Sequence, residues 1–167
     1  MSQQTWNAEL AKLAALNVKQ CQEKHDSCHN TPLFKSAGQN LAWTATTGDF
    51  PSAEQVIKSG IKSWFDEKSN GDQSTIDNCC DSTNGGKILH FTQMAQDNAI
   101  QVGCAISQYT KGEWKSSLMA CNYAVTNLYG TPVYVSGDSA SGCKSGTNSK
   151  YSSLCSTSEK INPNEAD

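Results

Sequence analysis

Apolar residues near the start of the chain recur at three- and four-residue steps: Trp6, Leu10, Leu13, Ala14 and Cys21. That spacing predicts an amphipathic helix from Trp6 to about Glu23, with Thr5 as its N-cap. His25 to Asn40 reads as loop, broken by Pro32 and Gly38. A second helix is expected from Ser52 to Lys68. Ser52 suits its cap, Glu54 its first turn, and Val56, Ile57, Ile61, Trp64 and Phe65 form the buried stripe. Ser69 to Lys87 is polar and rich in turn residues, which predicts a long surface loop carrying Cys79 and Cys80. A short helix follows from His90 to about Asp97. Then Ile100, Val102, Cys104 and Ile106 alternate with small or polar residues, as in a half-buried strand. Lys111-Gly112 offers a turn, and Trp114 to Tyr123 reads as the antiparallel partner. Beyond Gly130 periodicity fades, Cys143 and Cys155 are the obvious anchors, and the last dozen residues look frayed. Helices with a late hairpin give an α+β class, or a layered α-β-α arrangement.

Composition narrows the classes. At 167 residues the default is one domain. Only 37% of residues are hydrophobic and 17% charged, and Ser, Thr, Asn and Gln make up about a third. This polar, weakly charged balance is not that of a disordered chain. No apolar run reaches the roughly 20 residues of a membrane span. A net charge of −3 gives no drive toward phosphate backbones, so nucleic acid is not an expected partner. All 13 basic residues are Lys, which removes arginine clamps and Arg-Gly-Asp adhesion motifs.

Eight Cys in a polar chain of this size read as disulfides and an oxidising, extracellular compartment. The rival, a cytosolic zinc protein, would show two C-x-x-C pairs, and the sequence has none. Met1 is followed by Ser2, Gln3 and Gln4 rather than a basic and then apolar stretch, so no signal peptide is visible and a mature form or fragment is expected. Cys21, His25, Cys28 and His29 lie too close together to surround one zinc ion, and disulfide roles suit both Cys better. Gly137-Asp138-Ser139 looks like a serine-protease nucleophile segment. Ala140 and Ser141 follow, however, so the turn that builds an oxyanion hole is not supported. Trp43, Trp64, Trp114, Tyr109, Tyr123, Tyr129 and Tyr134 are either core or the lining of an apolar channel.

Four ordered stretches carry a family resemblance: Gly38-Gln39-Asn40-Leu41-Ala42, His90-Phe91-Thr92-Gln93-Met94, Val102-Gly103-Cys104-Ala105, and Leu118-Met119-Ala120-Cys121-Asn122-Tyr123. Together they resemble the CAP superfamily of cysteine-rich secretory proteins, antigen 5 and pathogenesis-related proteins of group 1. The segments Asn17–Thr31 and Gly142–Cys155 are similar to the insect antigen-5 branch. The resemblance implies a three-layer α-β-α sandwich with a central antiparallel sheet, spanning residues 1–135, and a disulfide-anchored extension over 136–167. It also implies a helix and a Cys-bearing leader ahead of Trp6, whose absence suggests an N-terminal truncation. Ala95 and Gln96 stand where the family has a small apolar residue and Trp, which alters one wall of its central groove.

Carried over by resemblance, the family's cavity residues are His25, Gln39, Glu67 and His90. His25 and His90 are candidate ligands for zinc or another divalent metal, and Gln39 replaces a Glu and so removes a charge. Glu67 would be the general base of a metal-dependent hydrolase, the least favoured of three functional classes. Cys104 and Cys121 fall on neighbouring predicted strands and agree with the family pairing, and Cys143 with Cys155 closes a short loop. Cys21 and Cys28 bond to the leader in antigen-5 relatives; pairing with each other, or with Cys79 and Cys80, stays open, as does a vicinal Cys79–Cys80 bond. The implied function is a secreted, non-enzymatic protein that sequesters a small hydrophobic or amphipathic ligand. The alternative is a salivary or venom effector that binds a host protein through the loops at Ser69–Lys87 and Ser136–Tyr151.

Overall fold

Strand order in the sheet is built around one long hairpin. The computed structural model describes residues 1–80 and 87–165. Its elements are β1 (Thr5–Trp6), α1 (Ala8–Val18), β2 (Gly38–Thr46), α2 (Ala53–Asp66), a 3-10 turn (Glu67–Asn70), α3 (Gln73–Asp77), α4 (Leu89–Ala95), β3 (Gln101–Lys111) and β4 (Trp114–Tyr123). The sheet order is β1-β3-β4-β2. β4 pairs antiparallel with both β3 and β2, whereas β1 pairs parallel with Gln101 and Val102 of β3. The expected antiparallel sheet is therefore mixed at one edge.

Alternation along β4 divides the core into two layers. Leu118 and Ala120 face α1 and pack with Ala14, Val18 and Leu41. Met119, Cys121 and Tyr123 face the other way and pack with Val56 and Trp64 of α2. Helices on both faces of one sheet make the α-β-α sandwich. Two glycines set the spacing. A Cβ on Gly103 would collide with the α1 backbone at Asn7, Leu10 and Ala11, and one on Gly60 would strike Met119 and Ala42.

Several expectations are corrected. The cap of α1 is Asn7, whose side chain accepts from the amides of Glu9 and Leu10. Thr5 and Trp6 are drawn into β1, and α1 ends at Val18, which leaves Cys21 exposed. α2 forms with Ser52 as its cap, in a reciprocal box with Gln55. Its buried stripe is Val56, Gly60 and Trp64, one residue per turn, while Ile57, Ile61 and Phe65 are exposed on the flank. The reason is Gly60, which lets the helix sit so close that only a narrow stripe fits beneath it.

The expected loop after Ser69 contains a turn of helix, α3, and Cys79 is buried against Ile76, Ala95 and Val133. Residues 81–86 of that predicted loop lie outside the described residues. The last dozen residues, as far as they are described to Glu165, are held rather than frayed: Glu159 accepts from the amides of Lys144 and Ser145, and Asn164 links to Leu33 and Lys35. Just before them, Cys155 N–H donates to the Met1 carbonyl and Asn148 to Gln3.

Three disulfides are present among the described residues: Cys104–Cys121, Cys143–Cys155 and the vicinal Cys79–Cys80. The first two match expectation, and the third resolves an open choice. Cys21 and Cys28 are unpaired and exposed, so they pair neither with each other nor with Cys79 and Cys80.

Candidate functional site

His25, Gln39, Glu67 and His90 form two hydrogen-bonded pairs tied to neighbouring residues of β2. His90 is the second residue of α4, and Glu67 begins the turn that follows α2. Glu67 Oε1 accepts from His90 Nδ1 at 2.7 Å, and Oε2 accepts from the backbone N–H groups of His90 (3.0 Å) and Phe91 (3.1 Å). Both carboxylate oxygens are thus committed to holding the start of α4, which is the geometry of an orienting group rather than a free general base. The His90 ring lies parallel to the indole of Trp64, with centroids 6.1 Å apart. Its own carbonyl accepts from Asn40 Nδ2 at 3.0 Å.

The other pair sits on the preceding residue of β2. His25 Nδ1 lies 2.8 Å from Gln39 Oε1, and Gln39 Nε2 donates to Asn122 Oδ1 at 2.9 Å. Consecutive strand residues point to opposite faces. Gln39 therefore serves the α1 side and Asn40 the α4 side. The loop bearing His25 is pinned from α1, where buried Asn17 donates to the Lys24 carbonyl at 2.9 Å. Beside it, Asp26 accepts from His29 Nδ1 and the Cys28 amide. Partial burial pushes the Asp26 carboxyl up, but the bonds from Asn17, His29 and Cys28 outweigh it and hold the group below the ordinary range.

Other sequence candidates are scattered. Ser139 of the Gly-Asp-Ser segment donates to the Ser153 carbonyl, far in sequence from any histidine. The Cys21, His25, Cys28, His29 cluster does not close: His25 turns to Gln39 and His29 to Asp26. The aromatics do not gather in one channel. Trp64 and Tyr123 are core, Tyr109 packs on the α1 layer, Tyr134 lies beside Cys79, and Trp43, Trp114 and Tyr129 are exposed. Sequence reasoning missed the roles of Asn40 and Asn122. Both are buried polar residues in strands, a pattern that signals a buried network.

Among the described residues no group of three or more His, Cys, Asp or Glu is arranged to hold a metal ion. Glu67 is spent on three donors and Gln39 is neutral, so a resident cation with three protein ligands does not fit this donor set. Two open clefts lie elsewhere. One of about 490 Å3 is lined by Ala45, Phe50, Pro51, Gln55, Ser59 and Lys115, among others, and one of about 450 Å3 lies where the C-terminal extension meets the N-terminus.

Fold and site together define a small disulfide-braced sandwich that carries two separate histidine pairs. Residues 1–126 match the CAP family, the cysteine-rich secretory protein family, and the chain belongs to it. Venom allergen-1 of Aedes aegypti is 40% identical over 157 residues, covering 93% of this chain and 61% of that protein. The antigen 5 like allergen Cul n 1 of Culicoides nubeculosus is 48% identical over 110 residues, 65% of this chain and 49% of the relative. The chain thus spans about three-fifths or less of these relatives' length. The solved structure of NaASP2 with Zn2+ shares the fold, with a TM-score of 0.74 at 24% identity over 93% of this chain and 77% of that one.

Proposed function

We propose that the protein is a secreted, non-enzymatic binding protein of the antigen-5 type that sequesters a small amphipathic ligand. Family membership, the venom allergen relatives and the three disulfides support secretion. Among the described residues none of the three imidazoles is hydrogen-bonded to a hydroxyl or thiol, so no paired nucleophile supports acyl transfer. The observation that carries the ligand class is the cleft of about 490 Å3 between the end of β2 and the first turns of α2. Its size falls in the range of small-molecule sites. Ala45, Phe50 and Pro51 supply apolar wall, and the Lys115 ammonium stands 3.2 Å from Asp49 and 5.5 Å above the Phe50 ring. An acyl chain would lie against the apolar wall and its carboxylate would replace Asp49 on Lys115.

The test is titration of the disulfide-formed protein with a long-chain fatty acid, a sterol and an eicosanoid, read by native mass spectrometry. A one-to-one complex with a fatty acid or eicosanoid is expected at micromolar concentration. Lys115→Glu should weaken it roughly tenfold or more, the worth of one charge-assisted hydrogen bond. If none of the three probes binds, the reading fails and recognition of a protein through the loops takes its place.

A further inference from the structure

One atom that can only accept fixes the direction of every hydrogen bond between α1 and His25. The Leu10 carbonyl oxygen lies 3.3 Å from the Asn122 side-chain nitrogen. A carbonyl cannot donate, so the amide nitrogen must face it. Turned over, the Asn122 amide would set oxygen against oxygen in a side chain with no solvent exposure. With the nitrogen facing Leu10, Asn122 Oδ1 faces Gln39 and accepts from its Nε2 at 2.9 Å. This turns Gln39 Oε1 toward His25 Nδ1, 2.8 Å away. An amide oxygen only accepts, so the neutral imidazole carries its proton on Nδ1 and its lone pair on Nε2.

We propose that Asn122 is a positioning residue that, through Gln39, holds exposed His25 in the Nδ1–H tautomer and makes Nε2 a standing hydrogen-bond acceptor. His90 reaches the same tautomer by a shorter route. Glu67 accepts from two backbone N–H groups and is therefore fixed as an acceptor, so His90 Nδ1 must donate to it. The His90 arrangement needs one carboxylate that reads the same when turned over. The His25 arrangement passes through two amides, each with a reversible sense, and Asn122 is the one anchored to backbone. The relay also accounts for Gln rather than Glu at position 39, because a carboxylate there could not donate to Asn122 Oδ1. A group that meets His25 Nε2 is therefore expected to bring a hydroxyl or N–H donor.

The test uses the full chain with native disulfides and 15N-labelled histidine, in long-range proton–nitrogen spectra at a pH where the rings are neutral. In the parent, both His25 and His90 should show a protonated Nδ1 and a bare Nε2. The Gln39 side-chain NH2 protons should show Overhauser contacts to Asn122 and not to the His25 ring. In Asn122→Ala, Gln39 loses its anchor, so the Nδ1–H to Nε2–H ratio of His25 should fall several-fold while His90 keeps its signature. His90 thereby also reports that the fold is intact. A parent His25 protonated on Nε2, a Gln39 NH2 in contact with the His25 ring, or an Asn122→Ala variant with His25 unchanged would each overturn the proposal. The first two outcomes need no variant, so the proposal stays testable even if Asn122→Ala does not fold.

Discussion

Tyr123 lies at the end of β4 with its hydroxyl buried, 3.4 Å from Asn40 Nδ2. Burial pushes its ionisation well above the ordinary tyrosine range, and the bond from Asn40 only partly offsets this. Below about pH 10 both folded and unfolded chains carry a neutral tyrosine, so the contribution to stability is fully present. Above about pH 10 the unfolded chain ionises first, and that contribution is lost as the pH rises. Urea unfolding should show the parent losing about 1 kcal/mol more than Tyr123→Phe between roughly pH 10 and 11. Equal alkaline slopes would show that the hydroxyl ionises in place. At this scale the sequence was partly legible. His25, Gln39, Glu67 and His90 came from resemblance and not from spacing, as one cavity set; their division into the pairs His25–Gln39 and Glu67–His90 is seen only in the fold. Asn122 stood in plain view beside Cys121, but nothing in the local pattern says that its amide reaches the Leu10 carbonyl more than a hundred residues away.

The helices and strands were legible where the pattern was local. β4 runs over the residues expected of an antiparallel partner after the Lys111-Gly112 turn, and α2 starts on its predicted cap. The misses come from tertiary contact. Trp6 looked like the first apolar position of a helix, but pairing of Thr5 and Trp6 with β3 moves the start to Asn7. β2 escaped because Gln39 and Asn40 are polar residues at its inner end and Trp43 is exposed at its outer half. The layer contact between α1 and β3 depends on Gly103, where there is no room for even one carbon against helix backbone. Gly103→Ala should therefore destabilise the fold by about 1–3 kcal/mol, the usual range for overpacking. Thermal or urea melting would measure it. A neutral result would mean that α1 can slide on the sheet.

The whole molecule is a sandwich with a C-terminal extension bound back across it. The Cys143–Cys155 loop is anchored to the N-terminus through Cys155 and Asn148, and the tail reaches Leu33 and Lys35 through Asn164. Closing a loop of a dozen residues contributes roughly 3 kcal/mol in the chain-entropy model. A Cys143→Ser/Cys155→Ser variant should keep the far-ultraviolet spectrum of the sheet and helices yet be cut by trypsin at Lys144 and Lys150. Resistance equal to the parent would mean that the hydrogen bonds alone hold the extension. The outer limits of the sheet have a further consequence. One border, β1, is only two residues long. At the other border the Trp64 indole donates to the Leu41 carbonyl at 2.9 Å, so a hydrogen-bonding position on β2 is occupied by a side chain of α2. β1 covers only Gln101 and Val102, so from Gly103 to Lys111 the β3 border can still take a strand from another molecule, whereas the β2 border is partly stoppered. Any sheet-to-sheet zippering in crowded solutions of this protein should therefore begin along β3 and not along β2.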